Sequence, residues 1–125
     1  MYGIGLKKRF KAKHSLGFAG EEEASPHFHS YTMEIEIFGE ELNENNCIID
    51  LVEFENIIDK ILKKYEGTLL NEHPEFDENP TVERFAEVLC DDLEEELKEV
   101  DLGHLKLKLW EGEEAFASYR REVKE

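Results

Sequence analysis

The hydrophobic period of this chain starts at two residues, lengthens to that of a helix, and then returns to two. That change limits the folds open to it. Along residues 4–16, Ile4, Leu6, Phe10, Ala12, His14 and Leu16 share one parity, while Lys7, Arg9, Lys11 and Lys13 share the other. Lys8 alone breaks the apolar side. Residues 27–38 alternate again, with Tyr31, Met33, Ile35 and Ile37 against Thr32, Glu34 and Glu36. Such alternation belongs to half-buried strands. Paired antiparallel, the two strands would set the Lys/Arg row against Glu34 and Glu36 on their polar face, which gives that row an ordinary role in cross-strand ion pairs.

From Asp50 the spacing is helical. Leu51, Phe54, Ile57, Ile58, Ile61, Leu62 and Tyr65 form one apolar stripe, with Asp50 and Glu53 as a start signal and Gly67 as a stop. A polar loop over residues 71–80 leads to a second helix. Its stripe is Val82, Phe85, Ala86, Leu89, Leu93, Leu97 and Val100, its solvated face holds Asp91, Asp92, Glu94 and Glu95, and Gly103 ends it. Leu105, Leu107 and Leu109 then alternate with Lys106, Lys108 and Trp110 as a third strand, and residues 115–123 form a fourth. Two successive helices between two strand pairs do not make parallel βαβ units. An antiparallel sheet with both helices on one face buries every stripe at once. The fold class expected is α+β, in the order ββααββ, as one domain over residues 1–125.

Composition narrows the function. The 31 acidic residues against 15 Lys and Arg give a net charge of −16, unfavourable for nucleic acid or an anionic membrane surface. The charge is uneven, because residues 1–14 carry five cations and no acid. No stretch is apolar enough for a membrane span, and the first residues do not read as a secretory signal. Two cysteines, Cys47 and Cys90, build no disulfide framework and match no zinc spacing, which fits a reducing cytoplasm. Cys90, beside Leu89 in the second helix, reads as a packing residue.

Three of the five histidines stand out. His14 closes the first strand on its apolar parity, and His27 and His29 open the second on its apolar parity. In paired strands all three imidazoles emerge on one side near one edge of the sheet. Three neutral imidazoles around a point suit Zn²⁺ and leave a fourth position for water or substrate. A lone His-x-His more often decorates a surface strand, and it is His14 at the matching parity that shifts the balance.

Several segments resemble the 6-pyruvoyl-tetrahydropterin synthase and 6-carboxytetrahydropterin synthase family. These are Phe10-Lys11-Ala12-Lys13-His14, His27-Phe28-His29-Ser30-Tyr31, Asp50-Leu51-Val52-Glu53-Phe54, Leu70-Asn71, Asn79-Pro80-Thr81-Val82-Glu83, and Trp110-Glu111 followed by Tyr119. They occur in the family's order over residues 10–119. The resemblance implies a T-fold whose subunits join sheet edges into barrels, usually hexamers, with the Lys/Arg row facing a central tunnel. It also implies that His14, His27 and His29 hold zinc and that Glu111 grips a pterin ring.

The departures from the family pattern concern proton transfer. Glu23 stands where the family has a cysteine that accepts a proton, Glu66 and Gly67 stand where it has an Asp-His pair, and Phe28 replaces a glycine between the paired histidines. A carboxylate at the cysteine position resembles a subgroup that cleaves the side chain to 6-hydroxymethyl-dihydropterin. The expectation is therefore a zinc-dependent lyase acting on 7,8-dihydroneopterin triphosphate or a close relative. Glu23 is the candidate base, with Glu22 as its substitute if the loop is shifted and His73 as a candidate proton shuttle. The Lys/Arg strip, or Arg120 and Arg121, would supply cations for the triphosphate. Aldolase-type cleavage and a non-catalytic, metal- and pterin-binding homo-oligomer are the alternatives.

Overall fold

The computed structural model describes residues 1–20 and 24–123. Four strands, β1 (Tyr2–His14), β2 (His27–Gly39), β3 (His104–Glu111) and β4 (Ala115–Glu122), form one sheet in the order β1-β2-β3-β4. Every neighbouring pair is antiparallel. Between β2 and β3 come helices α1 (Leu51–Lys63) and α2 (Val82–Glu96), separated by two short 3₁₀ turns, Leu70–Glu72 and Pro74–Phe76. The expected ββααββ order is the observed one.

The helix starts follow local chemistry. The Asp50 carboxylate accepts from the N–H groups of Val52 and Glu53 at 2.9 and 3.1 Å, satisfying donors that have no partner within the helix. The hydroxyl of Thr81 does the same for Arg84 N–H at 3.2 Å. Both helices end sooner than the apolar stripes suggest, α1 at Lys63 and α2 at Glu96. Of the stripe residues beyond the helix ends, Tyr65 and Leu97 are still buried and Val100 is half-buried, because turns, rather than further helix, carry them to the core. Gly67 adopts φ +74°, a conformation natural to glycine, and its N–H donates to the Lys11 carbonyl at 2.8 Å. Lys13 N–H donates to the Thr68 carbonyl at 2.8 Å, so residues 67–69 cover the outer edge of β1 at its C-terminal end. The edge strand is thus held firmly where it delivers His14.

The core lies between the helices and one face of the sheet. At its centre, Phe85 of α2 meets Phe10, Tyr31, Tyr65 and Phe76 edge-on, with ring centroids 5.2–5.7 Å apart, a favoured geometry for aromatic pairs. Cys90 is fully buried in this core, where burial pushes its thiol up to about 12. Among the described residues no helix is long and apolar enough to cross a membrane.

Four details of charge placement correct the sequence reading. Lys8, the exception on the apolar side of β1, reaches α1 and pairs with Glu55 at 2.5 Å and Asp59 at 3.2 Å. The acidic face of α2 is engaged as well as solvated. Asp92 accepts the Tyr65 hydroxyl, while Asp91 and Glu94 take Arg121 of β4 at 2.7 and 3.0 Å. Arg121 is therefore held by α2. The basic row of β1 lies opposite β2 with Lys7 in register with Glu34, but Glu34 accepts instead from the Trp110 indole N–H at 2.5 Å. Among the described residues, Lys7, Arg9, Lys11 and Lys13 have no carboxylate at salt-bridge distance.

Candidate functional site

The register of β1 on β2 ends with Ala12 opposite His29 and His14 opposite His27. That places all three histidines at the same end of the sheet, on the face turned towards the helices. Ring centroids are 4.3 Å apart for His14–His29, 4.5 Å for His27–His29 and 5.0 Å for His14–His27. One ligand nitrogen from each ring lies within 4.8 Å of the others. Nitrogens around a tetrahedral zinc stand about 3.3 Å apart, given Zn–N bonds near 2.0–2.1 Å, so small rotations bring the trio to that spacing.

The outer nitrogens of two rings show how the trio is aimed. His14 Nδ1 is 3.2 Å from the Pro80 carbonyl oxygen and 3.2 Å from the Tyr31 hydroxyl, and His27 Nδ1 is 2.7 Å from the Ser25 carbonyl oxygen. A carbonyl only accepts, so each neutral ring carries its proton on Nδ1 and turns the Nε2 lone pair inward. His27 Nε2 and His29 Nε2 are 2.6 Å apart. Two facing lone pairs at that distance repel unless a proton or a cation lies between them. The donor set and its tautomers fit a divalent metal such as zinc.

Glu111, the last residue of β3, is in register with Tyr31, and its Oε1 lies 3.6 Å from His29 Nε2. The carboxylate therefore borders the imidazole cluster on the same sheet face, about one-quarter exposed. Glu23, with Glu22, lies outside the described residues. His73 is engaged elsewhere, its Nε2 3.0 Å from the Thr68 hydroxyl, its Nδ1 3.9 Å from Glu75 and its ring beside Tyr65. Glu66 and Gly67 sit where residues 67–69 pin the edge of β1, and Gly67 serves there through its backbone.

Periodicity alone missed the supports. Asn71 clips the chain just after His14. Its side-chain oxygen accepts from Ser15 N–H at 2.9 Å, and its nitrogen donates to the Ser15 carbonyl at 2.8 Å and to that of Glu78 at 3.1 Å. Pro80, which lacks an N–H, presents its carbonyl to His14, and the following Thr81 caps α2. A polar loop held against the strand end by one asparagine thus completes the surroundings of His14.

Comparison with known proteins agrees with this architecture. The sequence profile of 6-pyruvoyl tetrahydropterin synthase matches residues 3–122. A protein of Archaeoglobus fulgidus, named "Putative 6-carboxy-5,6,7,8-tetrahydropterin synthase", is 31% identical over 119 residues, covering 94% of this chain and 95% of that one. Among solved structures, a Plasmodium vivax 6-pyruvoyltetrahydropterin synthase with a catalytic glutamate changed to alanine aligns with a TM-score of 0.78, at 15% identity over 98% of both chains. A Vibrio cholerae structure described as a "putative dihydroneopterin aldolase" aligns at 0.63, with 13% identity over 98% of both. The chain belongs to the 6-pyruvoyl tetrahydropterin synthase family, with that family's T-fold.

Proposed function

We propose that this protein is a zinc-dependent lyase acting on the side chain of 7,8-dihydroneopterin triphosphate or a close relative. The observation that carries the reading is the convergence of His14, His27 and His29 with Glu111 at the edge of the cluster. The three imidazoles would hold the metal, with the Pro80 and Ser25 carbonyls keeping the rings of His14 and His27 in the ligating tautomer. Zinc bound there supplies Lewis acidity for the side-chain hydroxyls and the C–H bonds beside them.

Glu111 accepts two parallel hydrogen bonds from the amino and ring N–H donors of a pterin, which fixes the ring plane and hence the side chain relative to the metal ligands. Glu23 removes the proton. A glutamate in this role has a parallel in the Plasmodium vivax protein, whose catalytic residue is described as a glutamate. The Asp-His relay is replaced by Glu66 and by Gly67, which is spent on holding β1, so the base works without a histidine partner from that segment. Cleavage of the side chain to 6-hydroxymethyl-dihydropterin is the reading to set beside synthase chemistry, given the carboxylate at the base position.

Subunits assemble through the sheet edges into a homo-oligomer, a hexamer by family resemblance, and the mass in sedimentation equilibrium measures this. Metal analysis tests the core of the proposal. Wild type carries stoichiometric zinc, and His27→Ala combined with His29→Ala loses it; zinc retained in the double variant defeats the assignment. Product mass after incubation with dihydroneopterin triphosphate separates loss of triphosphate from side-chain cleavage. Undiminished turnover in Glu23→Gln removes that residue as the base.

A further inference from the structure

Both helices pack on one face of the sheet, and the cations on the other face are treated differently from the rest of the molecule. By strand parity the open face presents Lys7, Arg9, Lys11 and Lys13 of β1, Lys106 and Lys108 of β3, and Arg120 of β4. Only Glu34, Glu36 and Glu122 oppose them from the same strands. Away from this face, Lys8, Lys60, Lys64, Arg84, Lys98 and Arg121 each hold a carboxylate, Lys63 being the exception among the described residues. Among the described residues none of the seven open-face cations does. In a chain of net charge −16, a face of unneutralised cations is a segregated field, and such a field attracts anions.

This face holds a cavity of about 940 Å³, within the range of small-molecule sites. Three rows of the sheet build its floor. One runs Arg9, Thr32 and Trp110, with Phe116 beside Trp110 just outside the lining, and Lys7, Glu34 and Lys108 form the next. Lys11 and Ser30 form the third, Gly112, without a side chain, opens one end, and Glu66 and Glu113 add two carboxylates to the lining. Lys7, Arg9 and Lys11 rise on one side, spaced about 7 Å apart along the strand. Trp110 lies two strands away, about 10 Å from Arg9. Its indole is held by Glu34 and stands 4.6 Å from the Phe116 ring, with Lys108 Nζ 4.5 Å from that ring. The result is a lining aromatic, Trp110, with Lys108 beside it on one side of the cavity, and the three cations of β1 on the other.

We propose that this face binds a nucleoside polyphosphate, with its base on Trp110 and Phe116 and its phosphates on Lys7, Arg9 and Lys11. The site is separate from the imidazole cluster, because Lys11 and Lys13 point to the opposite side of the sheet from Ala12 and His14. Stacking selects an aromatic base, and three cations along an extended strand match a chain of phosphates.

The chain contains one tryptophan, so Trp110 fluorescence reports occupancy directly. The zinc-loaded full chain is titrated with ATP, with inorganic tripolyphosphate and with adenosine, by fluorescence and by calorimetry. ATP is expected to quench saturably and to bind more tightly than either part alone. In Arg9→Glu combined with Lys11→Glu, the ATP affinity falls roughly tenfold or more, and in Lys11→Ala, a milder change at an exposed side chain, it falls by a smaller factor. Trp110→Leu weakens ATP while leaving tripolyphosphate unchanged. Equal affinity for ATP and tripolyphosphate, untouched by Trp110→Leu, overturns the nucleotide assignment and leaves a phosphate site. No saturable binding at millimolar ATP, or the same affinity in Lys11→Ala and the charge-reversal variant, overturns the proposal. The zinc site is independent: His27→Ala with His29→Ala keeps the ATP quench, and the charge-reversal variant keeps its zinc.

Discussion

Replacing Asn71 with alanine tests whether the loop after α1 holds the end of β1 that carries His14. The amide makes three hydrogen bonds to backbone groups, two of them to Ser15, the residue that follows His14. Each is worth about 0.5–1.5 kcal/mol net, and some of the released groups regain water, so the loss should be about 2–3 kcal/mol. For a domain of this size that lowers Tm by about 8–12 °C in a thermal melt followed by circular dichroism. Release of Ser15 also loosens His14 relative to Pro80, and supporting groups of this kind are worth about 10–100-fold in metal affinity, read by competition with a zinc chelator. Asn71→Asp sharpens the test. It keeps the acceptor for Ser15 N–H but sets a carboxylate oxygen against the Ser15 and Glu78 carbonyls, so it should be at least as damaging as alanine. An alanine variant whose Tm moves by less than about 2 °C and whose zinc affinity is unchanged would refute this account of the clip.

Phe85→Ala removes the ring on which four other aromatic side chains converge and should cost about 3–5 kcal/mol in urea unfolding, among the most damaging single changes in the core. Burial, and then the hydrogen bond to Asp92, raises the Tyr65 phenol above its ordinary value. Its contribution is therefore fully present below about pH 10 and is lost as the pH rises further, so Tyr65→Phe should fall less steeply than wild type in melts between pH 9 and 11. Parallel slopes would contradict this. Chelation of the metal should lower Tm reversibly, because free zinc at about 100 times its dissociation constant adds about 2.7 kcal/mol. The same treatment should leave the His27→Ala, His29→Ala double variant where it was.

Much of this molecule is legible in its sequence, for a definite reason. Alternation with a period of two ties each side chain to one face of a strand, so the parity shared by His14, His27 and His29 already implied a common side once β1 and β2 paired. The stripes of α1 and α2 likewise named most of the core, Leu51 at the start of α1 being exposed, and Asp50 announced its helix because an N-cap acts on N–H groups only two or three residues away. Helix ends were less visible. Tyr65 and Leu97 are buried whether the chain reaches them by helix or by turn, and an apolar stripe does not record which.

Charge partners could not be read from sequence. Lys8 finds Glu55 and Asp59, Arg121 finds Asp91 and Glu94, and Glu34 takes an indole rather than the lysine opposite it. Side-chain length and the placement of a helix over a sheet decide such pairs, and neither has a sequence period. The clip of Asn71 on Ser15 spans 56 positions, so no local rule reaches it. What the amino-acid order determined alone was the set of strands and helices and the face each side chain occupies, because those follow from backbone geometry over a few residues. What only the tertiary structure decided was which distant polar groups meet, since each such contact depends on how whole elements settle against a shared core.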